Sequence, residues 1–190
     1  ASRMQRAGTR GKGEVIYLAD NGKLFSQPDT AALVKSQFDE KRIRYELNHV
    51  LIAIDPGHRE ATFRTPDGPK EMKYDFLHVV PPMRAAEAVR RSSLSVREGP
   101  LSAGGWLEVD KRTLQHKRYP NVFGVGDGNG TPAGKTAATV KKGTPIAMEN
   151  LVSAIEGKAP AASFDGYTSC PMITEVGRAA LIEFNDEFKL

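Results

Sequence analysis

The 190-residue sequence contains one cysteine, Cys170, and this excludes an internal disulfide or a metal site built on several thiolates. No stretch reaches the roughly eighteen consecutive apolar residues of a spanning helix. The first residues have no apolar core of a signal peptide, so any membrane contact is expected from the surface. No Gly-x-Gly-x-x-Gly follows a strand pattern, and the loop that holds the pyrophosphate of a dinucleotide is therefore not expected here. The four histidines, His49, His58, His78 and His116, have no partner at ligand spacing, and no metal site is expected.

An apolar content of 39% is enough for a core of one domain or two small ones. Net charge is +4, and Arg3, Arg6, Arg10 and Lys12 cluster at the start without an acid among them. That run is read as a solvated terminus, and no nucleic-acid partner is expected.

The order of signals is that of an α/β protein. Glu14 to Ala19 is a short apolar run ending in Asp20-Asn-Gly22, a strand followed by a turn. A helix is expected from Asp29, the candidate cap, with Ala32, Leu33, Phe38 and Ile43 on its apolar side. Glu46 to Ile54 and Glu60 to Arg64, joined by Asp55-Pro-Gly-His58, read as a hairpin. Lys73 to Val80 reads as a strand buried on both faces and stopped by Pro81-Pro82. Met83 to Gly105 is polar, with a little helix around Ala85 to Arg91, and a boundary is placed there: domains 1–82 and 83–190.

Tyr119-Pro-Asn-Val-Phe-Gly-Val-Gly-Asp127 has the pattern of a strand ending in an acid, the place where open α/β sheets bind ligands. The loop Gly128-Asn-Gly-Thr-Pro-Ala-Gly134 follows. Lys135-Thr-Ala-Ala-Thr-Val140 then opens a helical pattern through Met148, Leu151, Val152 and Ile155. Two readings fit these residues. An acid before a helix can accept hydrogen bonds from ligand hydroxyls while the free amides face a partly negative group; alternatively, the loop is a connection and Asp127 caps the helix. Cys170 is likewise either a buried small hydrophobe or a chemical group.

Phe123-Gly-Val-Gly-Asp127, Pro132 and Lys135-Thr-Ala-Ala138 together resemble the second flavin-binding signature of the two-dinucleotide-domain flavoproteins. Three further runs resemble the sulfide:quinone oxidoreductase family within that superfamily. They are Tyr74-Asp-Phe-Leu-His-Val-Val-Pro-Pro-Met83, Gly105-Trp-Leu-Glu-Val-Asp-Lys-Arg-Thr-Leu-Gln-His116 and, after Asp165-Gly166, Tyr167-Thr-Ser-Cys-Pro171.

The resemblance implies part of an FAD/NAD(P)-binding Rossmann-like fold, with 1–82 the remainder of an inserted NADH-like domain and 83–190 the C-terminal part of the FAD domain. It implies sulfide and quinone as substrates, with electrons passing through FAD, and a protein that is soluble or peripheral to a membrane. Cys170 would be one member of a redox cysteine pair, since sulfide must attack a disulfide or polysulfide sulfur. Gly126, Asp127 and Gly128 would meet the ribityl chain, Lys135 and Thr136 the flavin, and Pro82 its face. Tyr167 and Phe164 are candidates for packing on a quinone or in the core. The family's partner cysteine, its ADP-binding glycines and its amphipathic tail have no counterpart in Ala1 to Leu190, so the isolated chain is expected to be inactive and to require a missing N-terminal half. The alternative is a non-catalytic binding or assembly module that pairs with a separate N-terminal flavin-binding chain.

Overall fold

The structure, a computed structural model, describes residues 1–187. Two compact units are present. The first is Ala1–Val80 with Ile173–Ala179, and the second is Pro81–Met172 with the described residues from Ala180.

The first unit begins with a short helix, α1 (Ser2–Arg6), and then a strand-helix-strand element: β1 (Ile16–Leu18), α2 (Pro28–Glu40) and β2 (Arg44–Glu46). β1 and β2 pair in parallel, with Tyr17 opposite Tyr45. Phe38 of α2 packs its ring on both tyrosines at 5.3 and 6.0 Å, so one aromatic seats the helix on the strands. Asp29 is not the cap. The N-cap is Gln27, whose side chain accepts from the Thr30 hydroxyl and caps no backbone N–H, and Pro28 opens the helix because its fixed φ suits N1 and its missing N–H is not required there. Asp29 lies in the first turn, where its charge faces the positive end of the helix dipole.

The expected hairpin forms from β3 (Val50–Asp55) and β4 (Glu60–Thr65), and its first strand starts later than Glu46 because that residue is held in β2. A third strand, β5 (Gly68–Lys73), pairs antiparallel with β4 to make a meander. Its partly buried and exposed positions alternate, as in a half-solvated strand. Lys73 to Val80 is not a buried strand. Beyond Lys73 the chain has no regular pairing, and Phe76 is 85% exposed.

In the second unit, α3 (Glu87–Arg90) falls inside the expected helical stretch. The chain around Gly126 is not a regular strand. Isolated bridges Gln115↔Phe123, Val109↔His116 and Leu107↔Asn129 hold it, and Gly126–Gly128 forms a 3-10 turn. Gly124 explains the tight approach, because a Cβ there would lie 2.4 Å from the Leu107 side chain. The core joins Leu114, Ala133, Ala147 and Phe164, with Ile146 and Tyr167 against it.

The helix expected after Lys135 is α4 (Ala137–Ile155). Its buried face is built from small and polar residues, Thr139, Gly143, Ala147, Asn150 and Ser153, while Met148, Val152 and Ile155 are exposed. Small residues let the loops lie close against the helix, and fully buried Asn150 ties them down. Its amide donates to the Thr113 and Ala162 carbonyls at 3.0 and 2.9 Å, and its carbonyl accepts from Ala162 N–H at 2.9 Å. A hairpin, β6 (Thr168–Glu175) and β7 (Arg178–Phe184), completes the described chain.

Candidate functional site

Thr136 is the N-cap of α4, and its hydroxyl accepts from Thr139 N–H at 3.2 Å. The helix is therefore capped by its own flanking residue, and Asp127 does not serve that purpose. Asp127 is exposed, and its carboxylate accepts no hydrogen bond from the described residues. The amides of Ala137 and Ala138 have no carbonyl partner, as expected for the first turn of a helix. A free carboxylate and free amides are thus presented on one loop-helix unit.

Gly126 has φ +74°, a conformation that side chains rarely adopt, and Gly128 has open space where a Cβ would stand. The rest of the loop is tied down. Leu107 N–H donates to Gly128 O at 2.9 Å, and Gly130 N–H donates to Leu107 O at 2.8 Å. Asn129 Oδ1 accepts from the Thr131 amide and hydroxyl at 3.2 and 2.8 Å, an Asx turn that fixes the loop's bend.

Lys135 turns back under this loop. Its Nζ donates to Asn129 O at 2.7 Å and lies 4.1 Å from the centroid of the Trp106 ring. Burial pushes its pKa below the ordinary lysine value, and the charge of Asp127 works in the opposite direction. Lys135 is therefore a partnered, half-buried cation.

Cys170 lies on β6 and is an exposed free thiol. What fixes its strand against the glycine loop is Thr168, which is 2% exposed. The Thr168 hydroxyl accepts from Gly134 N–H at 2.9 Å and from the Thr139 hydroxyl at 3.3 Å, so one side chain joins the loop, the first turn of α4 and the cysteine strand. Glycine is required at 134, because a Cβ there would stand 2.4 Å from Thr168 Cγ2.

The structure thus brings Gly126, Asp127, Gly128, Lys135 and Thr136 into one loop-helix unit, with the Cys170 strand anchored to it. Pro82 is exposed in an irregular segment. Phe164 is a core residue. Tyr167 packs on the same core and donates its hydroxyl to Glu183, a bond that raises the phenol pKa. His116 is buried, with Nε2 donating to Leu94 O at 3.0 Å and Nδ1 accepting from the Arg118 amide, which makes it a structural brace. Trp106 and Thr168 were not singled out by their residue types. The signal for Thr168 was its place two residues before the cysteine, and for Trp106 its place beside Gly104-Gly105.

The donor set fits a flavin. A free carboxylate suits ribityl hydroxyls, free helix-start amides suit a ring edge that gains negative charge on reduction, and Gly128 leaves room for close approach.

No protein-family model matches the chain. It is 36% identical over 184 residues to the mitochondrial sulfide:quinone oxidoreductase of mouse, covering 95% of this chain and 40% of that protein. Proteins of the same name from Dictyostelium discoideum and Schizosaccharomyces pombe are 34% and 33% identical. The chain spans about two-fifths of the length of these curated relatives. Among solved structures, the sulfide:quinone oxidoreductase of Aquifex aeolicus superposes with a TM-score of 0.73 at 21% identity, over 96% of this chain and 45% of that one. A chain of the Tetrahymena thermophila mitochondrial ATP synthase assembly superposes with a TM-score of 0.79 at 24% identity, over 97% and 44%. These likenesses establish the fold as part of the FAD/NAD-binding flavoprotein architecture.

Proposed function

The chain belongs to the C-terminal part of the sulfide:quinone oxidoreductase family, and we propose that it supplies the second half of a flavin site, together with one redox thiol, to an enzyme that oxidises sulfide and reduces a quinone. The observation that carries this reading is the Thr168 latch, which fixes the strand of Cys170 to the loop and helix start that fit a flavin.

Each residue has a role in this reading. Asp127 accepts hydrogen bonds from the ribityl hydroxyls, and Gly126 and Gly128 let the backbone come close. The first amides of α4, set by the Thr136 cap, face the ring edge, and the Lys135 cation beneath the loop adds positive potential there. A flavin held by these residues would supply the two-electron relay between sulfide and quinone. Cys170, exposed on β6, offers the thiolate that exchanges with a disulfide or polysulfide sulfur. A disulfide needs two thiols and the sequence holds one, so the second comes from outside it. Residues 1–82 are then part of the NADH-like domain and 83–190 part of the FAD domain, and the intact protein works at a membrane surface where quinone is reached.

A second reading is a non-catalytic assembly module paired with a separate chain. It is favoured by the exposed Met148, Val152 and Ile155 of α4, which another polypeptide could cover. The same fold in a chain of the ATP synthase assembly is compatible with that role.

Visible absorption of the purified chain, before and after FAD and gel filtration, separates the readings. A retained flavin band supports the flavin site. A retained band indifferent to sulfide is expected if the second thiol is absent. A colourless chain that co-purifies with a second polypeptide, and gains no flavin when reunited with it, overturns the enzymatic reading in favour of the assembly module.

A further inference from the structure

We propose that Trp106 is a positioning residue for the glycine loop and acts through Lys135: the indole face and the Asn129 carbonyl together fix the ammonium under the loop, and so fix the shape that the loop offers a flavin. What the loop binds rests on the flavin reading above; the clasp between tryptophan and lysine does not.

The geometry is closed from three sides. The Lys135 ammonium sits 4.1 Å over the indole and donates to Asn129 O, so residues 129 to 135 form a loop closed by a side chain. The backbone that carries Trp106 is paired to the same loop, through Leu107 N–H to Gly128 O and Gly130 N–H to Leu107 O. The indole is buried, at 7% exposure. A Cβ at Gly104 would stand 2.1 Å from its Nε1, and one at Gly130 would stand 3.3 Å from its Cβ, so both neighbours are glycines against which the tryptophan is packed. An aromatic face over a desolvated ammonium is attractive. The charge of Asp127, the titratable group that faces Lys135 from the loop, offsets part of the burial that favours the neutral amine.

Because Trp106 is the only tryptophan, its emission reports the clasp in the chain as it stands, with or without flavin. Titrated upward from neutral pH, the emission of the unsubstituted chain is expected to change with a midpoint below the ordinary lysine value of about 10.4, and Lys135→Met is expected to lose that transition. Tyrosine ionisation is common to both chains and cancels in the comparison. Amide hydrogen exchange at Gly130 and Gly134 supplies the second readout. Trp106→Phe, which keeps a ring face, should preserve protection, whereas Trp106→Leu should lose it by roughly 3- to 30-fold. The proposal is overturned if Lys135→Met titrates like the unsubstituted chain, or if leucine protects the loop as well as phenylalanine does. If the clasp titrates as expected and the loop nevertheless binds no flavin, the clasp stands and the flavin reading falls.

Discussion

Gly134→Ala tests the contact on which the site depends. The added methyl would stand 2.4 Å from Thr168 Cγ2 and 3.1 Å from its Oγ1, more than 1 Å inside ordinary carbon contact at the first of these. Thr168 has nowhere to retreat, since it is buried and its hydroxyl is held by Gly134 N–H and the Thr139 hydroxyl. Overpacking of this kind costs about 1–3 kcal/mol. Gly134 is absent from the residues with positive φ, so the cost is steric and not a backbone penalty. The assay is urea unfolding followed by Trp106 emission, which reports the second unit because the only tryptophan lies there. With a denaturant slope of about 2 kcal/mol/M, the midpoint should fall by about 0.5–1.5 M. Thr168→Ser removes Cγ2 and keeps the acceptor, so in that background the same glycine substitution should cost less than about 1 kcal/mol. Equal costs in the two backgrounds would refute the latch.

Asn150→Ala should cost about 2–5 kcal/mol in the same assay, because it leaves the Thr113 and Ala162 carbonyls and the Ala162 amide without their buried partner; a loss under 0.5 kcal/mol would show that the brace is replaceable. In the first unit, the hydrogen bond from Lys70 holds the Glu46 carboxyl below the usual glutamate range, with His49 and Arg44 adding to it. Its stabilisation is present above the ordinary glutamate value of about 4.3 and is lost as pH falls through the lower folded value. Glu46→Gln should therefore destabilise by about 1 kcal/mol at neutral pH and by less at pH values near 2 to 3. Thermal melts at both pH values check this, and a constant difference would contradict it. Cys170 should take up one equivalent of a thiol reagent in the native chain without denaturant, and a thiol that reacts only after unfolding would place it in the interior.

Local patterns in the sequence were good guides where local physics decides the outcome. The strand-helix start, the Asp55 turn and the helix after Lys135 follow from turn residues, a proline at N1 and a threonine cap, whereas the parallel strand Arg44–Glu46 was hidden in the run read as the hairpin. Lys73 to Val80 failed because an apolar run specifies burial only when strands exist to pair with it, and among the described residues none does. The stretch before Asp127 failed in the opposite sense: its apolar residues are placed by single bridges and glycine contacts, not by a ladder. In α4, periodicity located the helix correctly, while Met148, Val152 and Ile155 face outward and the buried face is built mostly of small residues, with Ile146 against the core. The acid and glycines of the site were legible as a motif. The indole under Lys135 and the latch at Thr168 were not, since both depend on contacts between segments tens of residues apart in sequence.

Among the described residues no further strand pairs with the outer edge of β3 or of β5 in the meander of the first unit, and these two edges are unequal. β5 carries Pro69, Lys70, Glu71 and Lys73, so a strand from another molecule would meet a missing donor and a row of charges there. β3 carries Ile52 and Ile54, which are exposed, and its only disruption is the register shift between Leu51 and Ala53. That irregularity keeps the edge from being a flat template. Unwanted fibre-like association of this chain at high concentration would therefore begin at β3, and a lysine at Ile52 or Ile54 is the substitution that would make the chain easier to handle.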